Sequence, residues 1–170
     1  PILGPEMRST GEVMGVSRSF GGAVARAMRA SQYGIPTPGK AFLSVRDGDK
    51  QALPPIAEDL VRRGYSLIAT AGTWRYLREA GFYCEKVNKV LEGRPHILDA
   101  IKNDEIRFII NTTEGRQAIA DSFSIRREAL QRKIAYTTTI ARGWATLQAI
   151  DHEHEYDVHC LQALHEELAS

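Results

Sequence analysis

Residues 107–116 read R-F-I-I-N-T-T-E-G-R, and no other stretch limits the fold of this chain as sharply. Phe108, Ile109 and Ile110 form a short apolar run with two β-branched residues, which Asn111, Thr112, Thr113 and Gly115 end abruptly. A run of this kind, cut off by a polar loop, marks a buried strand of a parallel sheet. In open α/β sheets ligands sit beyond the carboxyl ends of the strands, so Asn111, Thr112 and Thr113 fall where a ligand would be held. Taken alone, the same residues also suit an ordinary strand-to-helix turn in which Asn and Thr only cap the next helix.

The rest of the chain repeats the pattern. Residues 1–17 are rich in Gly and Pro and lack core periodicity, as at the edge of a neighbouring domain. From Ser19 to Ala30 the residues Phe20, Ala23, Val24, Ala27 and Met28 recur at helical spacing. Gly34, Pro36, Pro38 and Gly39 then make a linker, which places a boundary between residues 1–38 and 39–170. Strands are expected at Lys40–Val45, Tyr65–Thr70, Tyr83–Val87, from Arg107, and at Ile134–Tyr136. Helices are expected at Lys50–Arg63, Gly72–Ala80, His96–Lys102, Gln117–Lys133, Thr138–Ile150 and Leu161–Leu168. Pro54 and Pro55 fit only the first turn of their helix, and Gly64 and Gly81 stop two of them. This β-α-β-α order predicts a three-layer α/β/α sandwich with a mainly parallel sheet.

In a parallel sheet the strand ends share one edge, and here they carry one chemistry. The first offers Ser44 and, a few residues on, Lys50; the second offers Thr70 and Thr73 around Gly72. The third offers Asn88 and Lys89, and the fourth Asn111, Thr112 and Thr113, with Ser122 further along. Hydroxyls, amides, helix N-terminal N–H groups and two lysines make an anion site for which phosphate is the natural guest. Each residue also has a plainer reading, as a helix cap or a solvated lysine. Asp47, Asp49, Glu92 and Glu114 lie in the same loops, but no pair has a spacing that demands acid–base work. His96 reads as a capping residue. His152, His154, His159 and Cys160 lack the spacing of a metal site, and no Gly-rich nucleotide motif is present. The residues therefore point to binding a small phosphorylated ligand without turning it over.

Net charge is +1, which gives no global pull toward nucleic acid or membrane. Cys84 and Cys160 have no motif spacing, and no apolar run has transmembrane length, so a reduced, cytoplasmic setting is expected. A start at Pro1 reads as a piece of something larger.

Several motifs together resemble a known family. L-S-V-R-D-G-D-K (43–50), A-T-A-G-T (69–73), V-N-K-V-L-E-G-R-P-H-I (87–97), I-I-N-T-T-E-G-R (109–116) and D-S-F-S-I-R-R-E-A-L (121–130) resemble the C-terminal allosteric domain of carbamoyl phosphate synthetase large subunits. P-E-M-R-S-T-G-E-V-M-G (5–15) looks like the end of that subunit's second ATP-grasp domain. The resemblance implies a methylglyoxal-synthase-like fold that binds a nucleotide monophosphate effector, UMP or IMP. Its pocket falls on Ser44, Lys50, Thr70, Thr73, Lys89, Asn111, Thr112, Thr113 and Ser122. An ornithine site would meet Tyr136 and Thr138. The parent would be an ATP-dependent ligase of pyrimidine and arginine biosynthesis, making carbamoyl phosphate from glutamine, bicarbonate and ATP with Mg or Mn. Within this stretch no cofactor and no catalysis are implied. Partners would be the remaining large subunit and the glutaminase small subunit, with oligomerisation through this domain.

Some positions depart from the family pattern. Ala71 stands where bacterial relatives often have His, Glu114 and Gln117 where they tend to have Ser and Arg, and Thr137 where the enteric proteins have Asp. An added carboxylate and a lost cation weaken an anion site. Two alternatives stay open: a structural, oligomerising domain with a vestigial pocket, and a methylglyoxal-synthase-type lyase. The lyase's G-G-D and W-D-P aspartates are missing here: the corresponding stretches read Glu92-Gly93-Arg94-Pro95 and Asn111-Thr112-Thr113.

Overall fold

The computed structural model describes residues 13–31, 34–112, 116–155, 160, 162–163 and 165–166, with 116–121 described in backbone only. Five strands form one sheet: β1 Lys40–Ser44, β2 Ser66–Thr70, β3 Glu85–Val87, β4 Ile106–Asn111 and β5 Ala135–Thr137. All neighbours pair in parallel, in the order β3-β2-β1-β4-β5. Parallel neighbours need crossovers, and helices supply them on both faces. The helices are α1 Phe20–Ala30, α2 Leu53–Arg62, α3 Ala71–Glu79, α4 Ile97–Lys102, α5 Arg116–Gln131 and α6 Ile140–Ile150, of which α2 to α5 are the crossovers, α1 preceding β1 and α6 following β5. The fold class is therefore the α/β sandwich that the alternation of signals implies.

The central strands are apolar on both sides because both sides are covered. Ala41, Leu43, Leu67, Ala69, Phe108 and Ile110 face one core with Leu53, Ile56, Leu60, Leu77 and Leu147 of the helices. The intervening residues Phe42, Ile68 and Ile109 face a second core with Ile97, Ile101, Ile125 and Ala129. This period of two reaches the strand ends. Ser44, Thr70 and Asn111 follow Phe42, Ile68 and Ile109 by two residues, so all three project on the α4/α5 face.

Element ends differ from the sequence reading in specific ways. A 3-10 helix, Asp47–Ala52, precedes α2, which starts only at Leu53 with prolines in its first turn. Those prolines lack the N–H that a longer α-helix would use, so Lys50 sits in the tighter turn. β4 begins one residue earlier, because Ile106 is fully buried. Asn111 is the last residue of that strand and not the first of the loop. β5 is Ala135–Thr137, and α6 starts at Ile140, after Thr139 accepts the Arg142 N–H as N-cap. Gly64 and Gly81 end their helices at φ +82° and +90°, where a side chain would be strained. The expected helix Leu161–Leu168 is helical at 162–163 and 165–166, the other positions lying outside the described residues.

α1 lies against α6. Gly21 makes that approach possible: a Cβ there would stand 2.8 Å from the Gln148 carbonyl oxygen. Arg29 closes the far end by donating to the carbonyls of His152, Glu153 and Glu155. Among the described residues, no helix is long and apolar enough to cross a membrane.

Candidate functional site

The carboxyl ends of β1, β2 and β4 open into a cleft of about 440 Å³. Ser44, Lys50, Thr70, Thr73, Lys89, Asn111, Thr112 and Ser122 all line it. Thr113, the remaining residue of the sequence-derived set, lies outside the described residues, as do Glu114 and the side chain of Gln117. Tyr136 and Thr138 are not among the lining residues. The opposite wall is apolar, with Val90, Ile97 and Ile125.

The polar groups are fastened in three ways. At the first two strand ends the Thr70 hydroxyl donates to Ser44 Oγ at 3.2 Å, so both oxygens are held side by side. The Thr73 hydroxyl is turned to the backbone: it accepts from Val45 N at 2.9 Å and donates to Val45 O at 3.3 Å. What Thr73 contributes to the cleft beyond this tie is its place in the first turn of α3. Ala71, Gly72 and Thr73 of that turn line the opening, and the first turn of a helix, with its unpaired N–H groups and the positive end of its dipole, favours an anion. Thr112 likewise accepts from Arg46 N at 3.0 Å, extending the β4 edge beyond the strand.

Buried at the fourth strand end, Asn111 donates from Nδ2 to Ser122 Oγ at 3.0 Å and to the Tyr136 hydroxyl at 2.8 Å. Tyr136 itself is partly exposed and Thr138 exposed on the edge-strand side. Thr137 points to the other face, where it is buried and donates to the Ile109 carbonyl at 3.3 Å.

The charges gather on the rim. Lys50 is largely covered, with 19% of its side chain exposed, and its Nζ lies 3.4 Å from where a Cβ on Gly72 would stand. Gly72 thus leaves the lysine free passage over the start of α3. Lys50 also meets Asp47 Oδ1 at 2.6 Å, and this ammonium holds the Asp47 carboxyl below its ordinary range. Beside it, Arg46 grips Asp49 through Nε at 2.7 Å and Nη2 at 3.2 Å. That fork lowers the Asp49 pKa, and the Thr112 hydroxyl adds to it. On the far rim the Lys89 N–H donates to Glu92 Oε2 at 2.9 Å.

Residue-by-residue reasoning missed the apolar wall and Arg46. Ile97 and Ile125 belong to the core beneath α4 and α5, and nothing in their spacing tells that they also border an opening. Arg46 could have been found from its place two residues past Ser44. His96 fills the capping role: its N–H donates to Asp99 Oδ2 at 3.0 Å at the start of α4. His152 is engaged by Glu155 at 2.6 Å and Ser19 at 3.4 Å, while His159 lies outside the described residues.

Fold and cleft together define a class: a parallel α/β domain with a lysine-flanked polar cleft at its strand ends. The chain belongs to the MGS-like domain family, whose model matches residues 52–138. Several bacterial proteins named carbamoyl phosphate synthase large chain are similar to it. That of Xanthomonas campestris pv. campestris is 60% identical over 168 residues, 99% of this chain and 16% of that protein. That of Xylella fastidiosa is 60% identical over 168 residues, again 99% and 16%. The Pseudomonas aeruginosa protein is 57% identical over 165 residues, 97% and 15%. The chain thus spans about 16% of the length of these curated relatives. The solved "Crystal structure of ForH" is 21% identical with a TM-score of 0.48, covering 68% of this chain and 80% of its own.

Proposed function

We propose that this chain is the regulatory domain of a carbamoyl phosphate synthase large chain and that its cleft binds a nucleoside monophosphate, UMP or IMP. The observation that carries the reading is the convergence of Ser44, Thr70 and Asn111 from three adjacent strand ends, with Lys50, Lys89 and the start of α3 around one opening. Phosphate suits the lysine and N-terminal N–H side. The nucleoside suits the apolar side formed by Val90, Ile97 and Ile125, in a cleft whose 440 Å³ matches the size of small-ligand sites. Among the described residues no pair of groups lining the cleft is arranged as a nucleophile with its base, which favours a domain that binds its ligand over one that turns it over.

The parent would act as an ATP-dependent ligase in the cytoplasm, with ATP and its metal held outside this domain. The rest of the large chain and a glutaminase subunit would be its partners, and ornithine would be felt near Tyr136 and Thr138. The test is calorimetric titration with UMP and with IMP, repeated on Lys89→Ala and Lys50→Met. Saturable binding that weakens at least ten-fold in either variant is the expected result. No binding of either nucleotide, or binding indifferent to both lysines, overturns the reading and favours a structural domain. Methylglyoxal release from dihydroxyacetone phosphate would instead make it a lyase.

A further inference from the structure

One hydrogen bond leaves the cleft. Asn111 uses Nδ2 for both Ser122 Oγ, at 3.0 Å, and the Tyr136 hydroxyl, at 2.8 Å. A primary amide has two N–H groups, so both are already committed. Ser122 belongs to the cleft wall and is 4% exposed. Tyr136 does not: it stands on the edge strand β5, partly exposed, with the Arg126 guanidinium 5.6 Å above its ring.

A ligand oxygen that seeks an N–H from Asn111 must therefore displace one of two hydroxyls or make the amide turn over. Releasing Ser122 would disturb a buried pair, which costs more than releasing a phenol that water can reach. Turning the amide would present Oδ1 to both hydroxyls, and a phenol can donate there as readily as it accepted. In both cases the role of the Tyr136 hydroxyl changes. We propose that Tyr136 is a positioning residue for the cleft: its hydroxyl sets the Asn111 amide, and ligand binding releases or reverses that bond, so that the edge strand registers occupancy. The inference rests on the nucleotide reading above.

Tyr136→Phe keeps the ring under Arg126 and removes only the hydroxyl, freeing the Asn111 amide to turn one N–H toward the ligand. Calorimetry with UMP and IMP should give about five-fold tighter binding than the unaltered chain. In the Asn111→Ala background the same substitution should change nothing. The side-chain amide protons of Asn111 provide a second readout by NMR. The proton that moves in free Tyr136→Phe should be the one that moves when nucleotide is added to the unaltered chain. Failure of the unaltered chain to bind either nucleotide would bring down the cleft reading and this inference together. Normal binding with an unchanged or weaker Tyr136→Phe, or with no shared amide shift, would overturn this inference alone.

Discussion

Lys50 reaches the cleft with its charge already engaged. Asp47, on the adjoining turn, takes the ammonium at 2.6 Å while 95% of its own side chain stays in solvent. An anion entering the cleft competes with that carboxylate for the same donor, and the carboxylate's negative charge opposes it as well. An exposed partner of this kind is a weak competitor. Asp47→Asn should therefore raise nucleotide affinity about three-fold at low salt, an advantage that shrinks as salt screens the rim. Titrations at two ionic strengths check it; equal affinity of both forms at low salt would mean that Lys50 does not meet the ligand. At this scale most of the residues that line the cleft were legible in the sequence, because Ser44, Thr70 and Asn111 each fall at the end of an apolar strand run, and the carboxyl ends of parallel strands share one edge. What was not legible is where the hydroxyls point. That Thr73 turns to the Val45 backbone, and that Asn111 reaches Tyr136, depends on register between strands that the chain itself does not spell out.

Helix α1 illustrates how an element can be visible in sequence while its docking is not. Its apolar residues recur at helical spacing and Ser19 caps it, so its existence follows from local rules. Its place against α6 depends on a feature with no periodic signal, the missing side chain at Gly21. There a methyl group would fall 2.8 Å from the backbone oxygen of Gln148. Helix propensity alone favours Gly21→Ala by about 1 kcal/mol. Overpacking against backbone costs about 1–3 kcal/mol, so the clash should win. Thermal unfolding is expected to show a net loss of about 1 kcal/mol, with faster hydrogen exchange confined to α1. A raised melting temperature would mean that α1 does not rest on α6 in solution. The same contrast between local and tertiary causes explains the shifted start of α2. Pro54 and Pro55 are tolerated only in the first turn of an α-helix, yet only the observed fold decides that the preceding turn is 3-10.

Across the whole molecule, the ionisable groups make the two ends of the pH scale unequal. On the acid side Asp49, Glu105 and Asp151 lie below their ordinary range because Arg46, Lys40 and Arg63 hydrogen-bond them. Folded values below unfolded ones give stability that is present above the ordinary carboxylate range and lost as pH falls through the folded values. Asp151 is 60% exposed and solvent screens such pairs, so the acid limb should be shallow. On the alkaline side the groups are buried. Burial pushes the Cys84 thiol from 9.0 up to about 12. Burial, with the Glu153 charge, pushes Tyr65 from 10.0 up to about 12, while its hydroxyl ties down the segment before β1 by donating to Pro36 O at 2.7 Å. Both acids hold their protons longer when folded, so their stability is complete below the ordinary values and drains as pH rises toward 12. Each unit of separation is worth about 1.4 kcal/mol, enough for the thiol alone to remove a few kcal/mol across that window. Thermal melts from pH 5 to 11 should thus fall more steeply above pH 9 than they do on acidification. Cys84→Ala should flatten the alkaline slope while costing a small, pH-independent amount through lost packing. If the variant kept the slope of the unaltered chain, the thiol would have to be reached by solvent before the fold opens.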